Sequence, residues 1–193
     1  MQFPLQYFKN DENWETIRTG HHVDTKRREN KEDRTYSKNL QVRDFIYSEE
    51  WVRYEYLATG AEYVGQWLGG MRHGEGKMQW PDGASYSGTW RCNQASRYGK
   101  FIYHNGDIYE GGWASNLMCG YGVYRHANGN IYRGQWLQGQ MHGKGEETWP
   151  DGSHYLGDYT EGQKDGLGTY LWADGSRFYG QWDQNEINGF GMI

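Results

Sequence analysis

Seven histidines are the side chains best suited to acid–base or metal chemistry near neutral pH. His73 and His142 fill one slot of a recurring His-Gly-x-Gly motif, and the same slot elsewhere holds Cys119, Asp165 and Asn188. A slot that accepts imidazole, thiol, carboxylate and amide is dictated by repeat geometry and is a poor place for a catalyst. His104, His126 and His154 fall in other phases, and His21-His22 has no Cys or carboxylate at metal-ligand spacing. Asp82, Asp151 and Asp174 each stand in an Asp-Gly turn, and no loop gathers the clustered oxygens that Ca²⁺ requires. The glycine pairs are not nucleotide loops, because none opens a helix after a strand and no GxxxxGK[ST] occurs. No serine nucleophile carries a recognisable signature. Cys92 and Cys119 form no CxxC pair and read as free thiols of a reducing compartment. The expectation is a protein without catalytic residues, metal, cofactor or small-molecule substrate.

What positions these residues is a repeat. Asp82-Gly83, Asn105-Gly106, Asn128-Gly129, Asp151-Gly152 and Asp174-Gly175 return every 23 residues. Asp-Gly and Asn-Gly are strong hairpin signals, and a two-residue type I′ turn with φ > 0 at both central positions is expected at each. An aromatic follows three residues after each turn glycine, then a glycine, then another aromatic. Tyr63-Gly65-Trp67 recurs as Tyr86-Gly88-Trp90, Tyr109-Gly111-Trp113, Tyr132-Gly134-Trp136, Tyr155-Gly157-Tyr159 and Phe178-Gly180-Trp182. Period-two spacing puts all three on one face of a strand. The return strand carries a second set on that face, including Trp80, Trp149 and Trp172. The opposite face is polar and differs between units. The fold class expected is all-β: an elongated, single-layer antiparallel sheet of repeated β-hairpins, twisted and curled into a gutter, with a largely irregular N-terminal extension.

Composition agrees with a thin aromatic sheet. The 193 residues include 17 Tyr, 10 Trp and 29 Gly, while the hydrophobic fraction is only 36%. Apolar area therefore resides in rings, not in a deep aliphatic core. Net charge is −5, split between a balanced segment 1–58 and net-acidic repeats. Neither half carries the basic field of a nucleic-acid binder, so nucleic acid is not expected as a partner. The start lacks the basic and apolar regions of a secretory signal, and no apolar run approaches a membrane span, so a soluble, intracellular chain is expected.

Two divisions are expected. Residues 1–59 form an extension: a charged tail, with Asp24–Arg34 reading as a solvated segment or docking strip, then a capping strand near 52–57. Residues 60–193 form six 23-residue units, the last partial, whose return strand leaves a sheet edge that a partner could cover. In the second unit Arg97 stands where a motif glycine is expected, predicting a local bulge and a possible partner contact.

The unit Y-x-G-x-W, short loop, H-G-x-G, aromatic strand and D-G resembles the MORN (membrane occupation and recognition nexus) repeat. Gly60–Trp80 and Gly129–Trp149 carry it nearly residue for residue, as YVGQWLGGMRHGEGKMQW and YRGQWLQGQMHGKGEETW. The resemblance implies a non-enzymatic scaffold that binds other protein subunits of a large assembly. It implies an axonemal or cytoskeletal host in the cytoplasm or cilium, with a mitochondrial or other large membrane complex as the alternative. Some family members are credited with acidic-phospholipid binding, so a peripheral membrane module is the competing reading. That reading needs a row of Lys or Arg along one face, and Arg72, Lys77, Lys100, Arg125, Arg133 and Lys144 are scattered. The structural repeat aromatics, which also form the candidate partner face, are Tyr63, Trp67, Trp80, Tyr86, Trp90, Tyr109, Trp113, Tyr132, Trp136, Trp149, Tyr155, Trp172 and Trp182, built on turn glycines Gly83, Gly106, Gly129, Gly152 and Gly175; the face is expected to be covered by the chain's own strands and tail or by a partner.

Overall fold

Alternating aromatic and polar residues, interrupted at fixed intervals by turn residues, leave the chain one economical arrangement: each strand hydrogen-bonds to the next. A computed structural model describes residues 5–9, 23–24, 48–56 and 59–192. It shows a single antiparallel sheet in which fourteen strands follow in sequence order. The strands are β1 (Val23–Asp24), β2 (Ser48–Tyr56), β3 (Ala61–Leu68), β4 (Met71–Gln79), β5 (Ser85–Arg91), β6 (Gln94–Ile102) and β7 (Ile108–Ala114). They continue as β8 (Leu117–Arg125), β9 (Ile131–Leu137), β10 (Gln140–Thr148), β11 (His154–Thr160), β12 (Gln163–Leu171), β13 (Arg177–Asp183) and β14 (Glu186–Met192). One short helix, α1 (Leu5–Lys9), precedes them. The capping strand expected near 52–57 is β2, which starts earlier and pairs with β3 from Ser48 to Tyr56. Residues 25–34 of the charged strip, His21-His22, Leu57 and Ile193 lie outside the described residues.

Both kinds of turn are tight, but the type I′ geometry sits in the other one. At the Asp/Asn-Gly turns only the glycine has positive φ: 91° at Gly83, 89° at Gly106, 95° at Gly129, 88° at Gly152 and 86° at Gly175. Gly83 N–H donates to the Trp80 carbonyl, and Trp80 N–H donates to Ala84 O. That is a three-residue loop, a type I turn closed by a left-handed glycine. At two of the five turns Pro81 and Pro150 hold φ negative at the first central position. The aspartate then accepts from the backbone two residues on, as Asp82 Oδ1 does from Ala84 N at 3.0 Å. Two-residue loops with both φ positive occur inside each unit, at Gly69-Gly70, Cys92-Asn93, Ser115-Asn116, Gln138-Gly139, Glu161-Gly162 and Gln184-Asn185.

Register aligns the motif glycines into one line across the sheet. Gly65 faces Gly76, Gly76 faces Gly88, Gly88 faces Gly99, and the pattern continues to Gly180 opposite Gly191. Each unit tyrosine lies along this line. A Cβ on Gly111 would stand 2.4 Å from Gly122 Cα and 2.6 Å from Tyr109 Oη. Only glycine leaves a ring that much room. Each tyrosine hydroxyl then reaches a backbone carbonyl three residues ahead, as Tyr109 does to Gly112 O at 2.9 Å.

Units are tied to each other by rings and by main chain. Trp90, Trp113, Trp136 and Trp182 each donate an indole N–H to a glycine carbonyl of the preceding unit, at 3.0–3.3 Å. Each tryptophan also meets two rings edge-on: Trp113 lies 5.3 Å from Tyr109 and 5.1 Å from Tyr86, and Trp182 meets Tyr155 and Phe178. Asn93, Asn116 and Asn185 reach back one unit and accept from the backbone N–H of Arg72, Ala95 and Lys164. A hairpin alone is marginal in water, and these ties between neighbours are what stabilise the stack.

Candidate protein-binding face

Of the thirteen aromatics expected on a partner face, eleven are buried within the chain. Tyr63, Tyr86, Tyr109 and Tyr155 have no exposed surface, and Trp67, Trp80, Trp90, Trp113, Tyr132, Trp136 and Trp182 are almost as closed. They hold the sheet together and are not open to a partner. The cause is simple: each unit tyrosine lies down on the glycine line and meets an aromatic of the next unit, Trp90 on Tyr63, Trp113 on Tyr86, Trp136 on Tyr109, Tyr159 on Tyr132 and Trp182 on Tyr155. Of the thirteen, Trp149, half-buried, and Trp172, 36% exposed, remain partly open.

The return strands add a second tier: Met78, Phe101, Tyr124, Glu147 and Tyr170 stand in register with the tyrosines of the neighbouring strands. Beside them, toward the Asp/Asn-Gly turns, run Trp80, Tyr103, His126, Trp149 and Trp172. Over the first units this tier is closed by α1, which sequence reasoning placed in an irregular tail. Tyr7 and Phe8 are 8% and 3% exposed. Phe8 meets Trp80, Tyr86, Trp90, Phe101 and Trp113 at centroid distances of 5.6–6.1 Å. Tyr7 packs 5.3 Å from both Trp80 and Phe101, and its hydroxyl lies 2.8 Å from His104 Nδ1. The adjacent pair Tyr7-Phe8 was the available signal, an apolar cluster ahead of an otherwise charged stretch.

Two charged clusters interrupt the rings. Asp107 accepts from the Tyr124 hydroxyl at 2.9 Å and from Ala127 N–H at 2.8 Å, with His126 Nδ1 at 3.4 Å. Burial pushes the Asp107 carboxyl up, but the Ala127 N–H, the Tyr124 hydroxyl, the Asn105 contact and His126 together hold it below the usual carboxylate range. Tyr103 Oη is buried there with no hydrogen-bond partner among the described residues. The cluster ties two consecutive turns and gathers no third metal ligand. Further along, Lys164 lies over Trp149, Tyr155 and Tyr159 at 5.1, 5.2 and 5.9 Å. Glu147 Oε2 accepts from the Lys164 ammonium at 3.0 Å and from the Tyr159 hydroxyl at 3.2 Å.

Arg97 is exposed and its φ is 59°, a left-handed backbone that glycine adopts in the corresponding slots, as at Gly74, Gly120 and Gly143. The bulge expected there is present, yet it is a feature of every unit. Gln66 and Gln135 bridge it, each accepting from a backbone N–H nine residues on. Cys92 and Cys119 are free thiols.

The opposite face carries the exposed large apolar side chains Tyr98, Tyr121, Leu137, Leu156, Leu167, Leu171, Tyr179 and Met192. Leu156 faces Thr169, Thr169 faces Tyr179 and Tyr179 faces Met192, so the last of these share one patch. Basic residues form no row among them: Lys100 stands opposite Glu110, Arg133 opposite Glu146, and Lys144 pairs with Asp158 at 2.6 Å.

The MORN repeat model matches residues 63–85, 86–108, 109–131, 132–154, 155–177 and 178–193. No curated protein matches the chain. Similar solved structures include the Drosophila melanogaster SAS-4 (dCPAP) TCP domain in complex with a proline-rich motif of Ana2 (dSTIL). It is 14% identical with a TM-score of 0.45, over 68% of this chain and 72% of that one. The TCP10c domain of Drosophila melanogaster Sas-4 is 11% identical with a TM-score of 0.40, over 68% and 79%. The wild-type TCP10 domain of Danio rerio CPAP is 13% identical with a TM-score of 0.26, over 68% and 73%. Six consecutive matches reaching from Tyr63 to Ile193, on a sheet built from the same 23-residue hairpin unit, place the chain in the MORN repeat family.

Proposed function

We propose that this protein is a non-enzymatic scaffold subunit that binds other proteins within a larger assembly, of which a cytoskeletal or axonemal one is the leading case. One observation carries the reading: of the ten exposed large apolar side chains among the described residues, seven lie at or beyond Leu156, on both faces of the sheet. Apolar surface concentrated in this way marks an interaction site. The exposed set includes Trp172 and Tyr179, and such rings bury large area at little conformational cost.

Cross-linking mass spectrometry on the endogenous protein in native extract tests the reading. A reproducible set of proteins linked to the units from Leu156 onward is the expected result. Links confined to the chain itself, with the protein following membranes, would overturn it. The acidic-phospholipid alternative draws less support, because Lys100, Arg133 and Lys144 on the polar face stand opposite or pair with carboxylates. Flotation with acidic liposomes at ~0.15 M salt, where the Debye length is about 8 Å, checks it directly.

A further inference from the structure

The ring platform that holds α1 recurs along the array, and one recurrence is open. Three units on, Trp80, Tyr86, Trp90, Phe101, Tyr103 and Trp113 become Trp149, Tyr155, Tyr159, Tyr170, Trp172 and Trp182. The geometry repeats with the residues. Trp80 and Phe101 are 5.6 Å apart at 38°, and Trp149 and Tyr170 are 5.5 Å apart at 35°. Phe101 and Tyr103 are 4.6 Å apart at 58°, and Tyr170 and Trp172 are 4.9 Å apart at 49°. Phe101 and Trp113 are 6.2 Å apart at 41°, and Tyr170 and Trp182 are 6.0 Å apart at 34°. The first platform is covered; on the second, Trp149 and Tyr170 are half-buried and Trp172 is exposed. A shift of one unit repeats the ring spacing at Tyr103, Tyr124, His126 and Trp136, with centroids 5.7, 4.6 and 6.0 Å apart, but not the open surface. One unit on, Tyr103 and Tyr124 are already closed, and two units on, Glu147 replaces the central ring.

The two platforms differ at one subsite, and the difference specifies the occupant. Phe8 touches Trp80, Tyr86 and Trp90. Their counterparts Trp149, Tyr155 and Tyr159 are the three rings under the Lys164 ammonium. Lys164 thus takes the part of the phenylalanine subsite bounded by these three rings, and the part beside Tyr170 and Trp182, the counterparts of Phe101 and Trp113, holds no described ring. The tyrosine subsite, Trp80 with Phe101 and now Trp149 with Tyr170, stays vacant of any described ring. An ammonium has three donors, and Glu147 takes one of them. A carboxylate placed beside the ammonium, over Tyr170 and Trp182, accepts from the others, whereas a second ring in the place of Phe8 would meet the lysine.

We propose that Trp149, Tyr170 and Trp172, flanked by Lys164, receive a short segment of a partner protein in which an aromatic residue is followed directly by Asp or Glu. The proposal rests on the scaffold reading and names one of its docking sites. α1 shows the mode of entry, a single turn or so laid across the rings.

The probe is a fluorescent synthetic peptide of residues 1–12 of this chain carrying Phe8→Glu, titrated into the full-length protein. The substitution suits the second platform and not the first, where Phe8 is buried among rings. Saturable binding is expected. It should weaken about tenfold when the peptide also carries Tyr7→Ala, and by a similar factor in protein variants Trp149→Ala and Lys164→Gln. Lys164→Gln keeps a polar stem over the rings and a donor for Glu147, and an unchanged urea midpoint separates its effect on charge from one on folding. Equal affinity for the unsubstituted Tyr-Phe peptide, no binding, or binding unaffected by both protein variants would overturn the site. A protein dimer in sedimentation that Trp149→Ala dissociates makes the occupant a second copy, and a partner segment is then wrong. If extract cross-links persist while the peptide fails, only this site falls. If the cross-links fail, the scaffold reading falls with it.

Discussion

A tyrosine laid flat on bare backbone needs three things at once: glycine beneath it, glycine across from it, and an acceptor for its hydroxyl. Tyr109 has all three in Gly111, Gly122 and Gly112 O. Gly111→Ala therefore forces two backbones or a buried ring apart, and an expected loss of about 2–3 kcal/mol follows in urea unfolding. Gly152→Ala is the comparison, because a Cβ there meets nothing within 4 Å and only its left-handed φ is strained. Its cost should stay near 1 kcal/mol. Asp107 supplies a second test at this scale. Its carboxyl is held below the usual range, so its contribution is complete above the unfolded value of about 4 and is lost as pH falls through the lower folded one. Asp107→Asn should be less stable than the native chain at neutral pH by about 1–2 kcal/mol, and the gap should narrow as pH falls below about 4. A gap independent of pH would show that the charge at Asp107 is not what matters.

At the scale of the hairpin, the two turn classes have different tolerances. The Asp/Asn-Gly loops place one residue in the left-handed region, and glycine always fills it. The inner loops place two there and accept Cys, Ser, Gln and Glu at the first. Arg97 is the exception within the bulge, an arginine at φ 59° where other units use glycine. No described hydrogen bond or ion pair of its side chain offsets that strain. Arg97→Gly should stabilise the protein by about 1 kcal/mol in denaturant unfolding. An unchanged or lower stability would mean that the side chain has a compensating role, and the contact with a partner expected at Arg97 would then gain ground.

Across the whole molecule, cohesion passes from unit to unit, and α1 is the one described element that bridges several units of the aromatic face. Phe8 alone touches rings from β4, β5, β6 and β7 or their flanking turns. Phe8→Ala should cost about 3 kcal/mol, read by urea unfolding followed through tryptophan fluorescence. The loss should be felt first in the early units, because repeat arrays respond through nearest neighbours. A variant whose early units exchange amide hydrogens no faster than the later ones would contradict that assignment.

The hairpin repeat, its 23-residue period, the alternation of faces and the single antiparallel sheet were legible in the chain, because each depends on local spacing and on the backbone needs of glycine. The family resemblance rested on the same residues. Tertiary structure alone decided which rings are open. Tyr63 and Trp172 are both motif aromatics on the same face, yet one is closed by the glycine line and the next unit's tryptophan, and the other is not. Sequence also could not place Tyr7 and Phe8, since burial there joins residues some seventy or more positions apart, or show that Lys164 reaches into the counterpart of the Phe8 subsite three units on. Periodicity reports which face a side chain joins; what lies above that face is a long-range contact, and no local pattern encodes it.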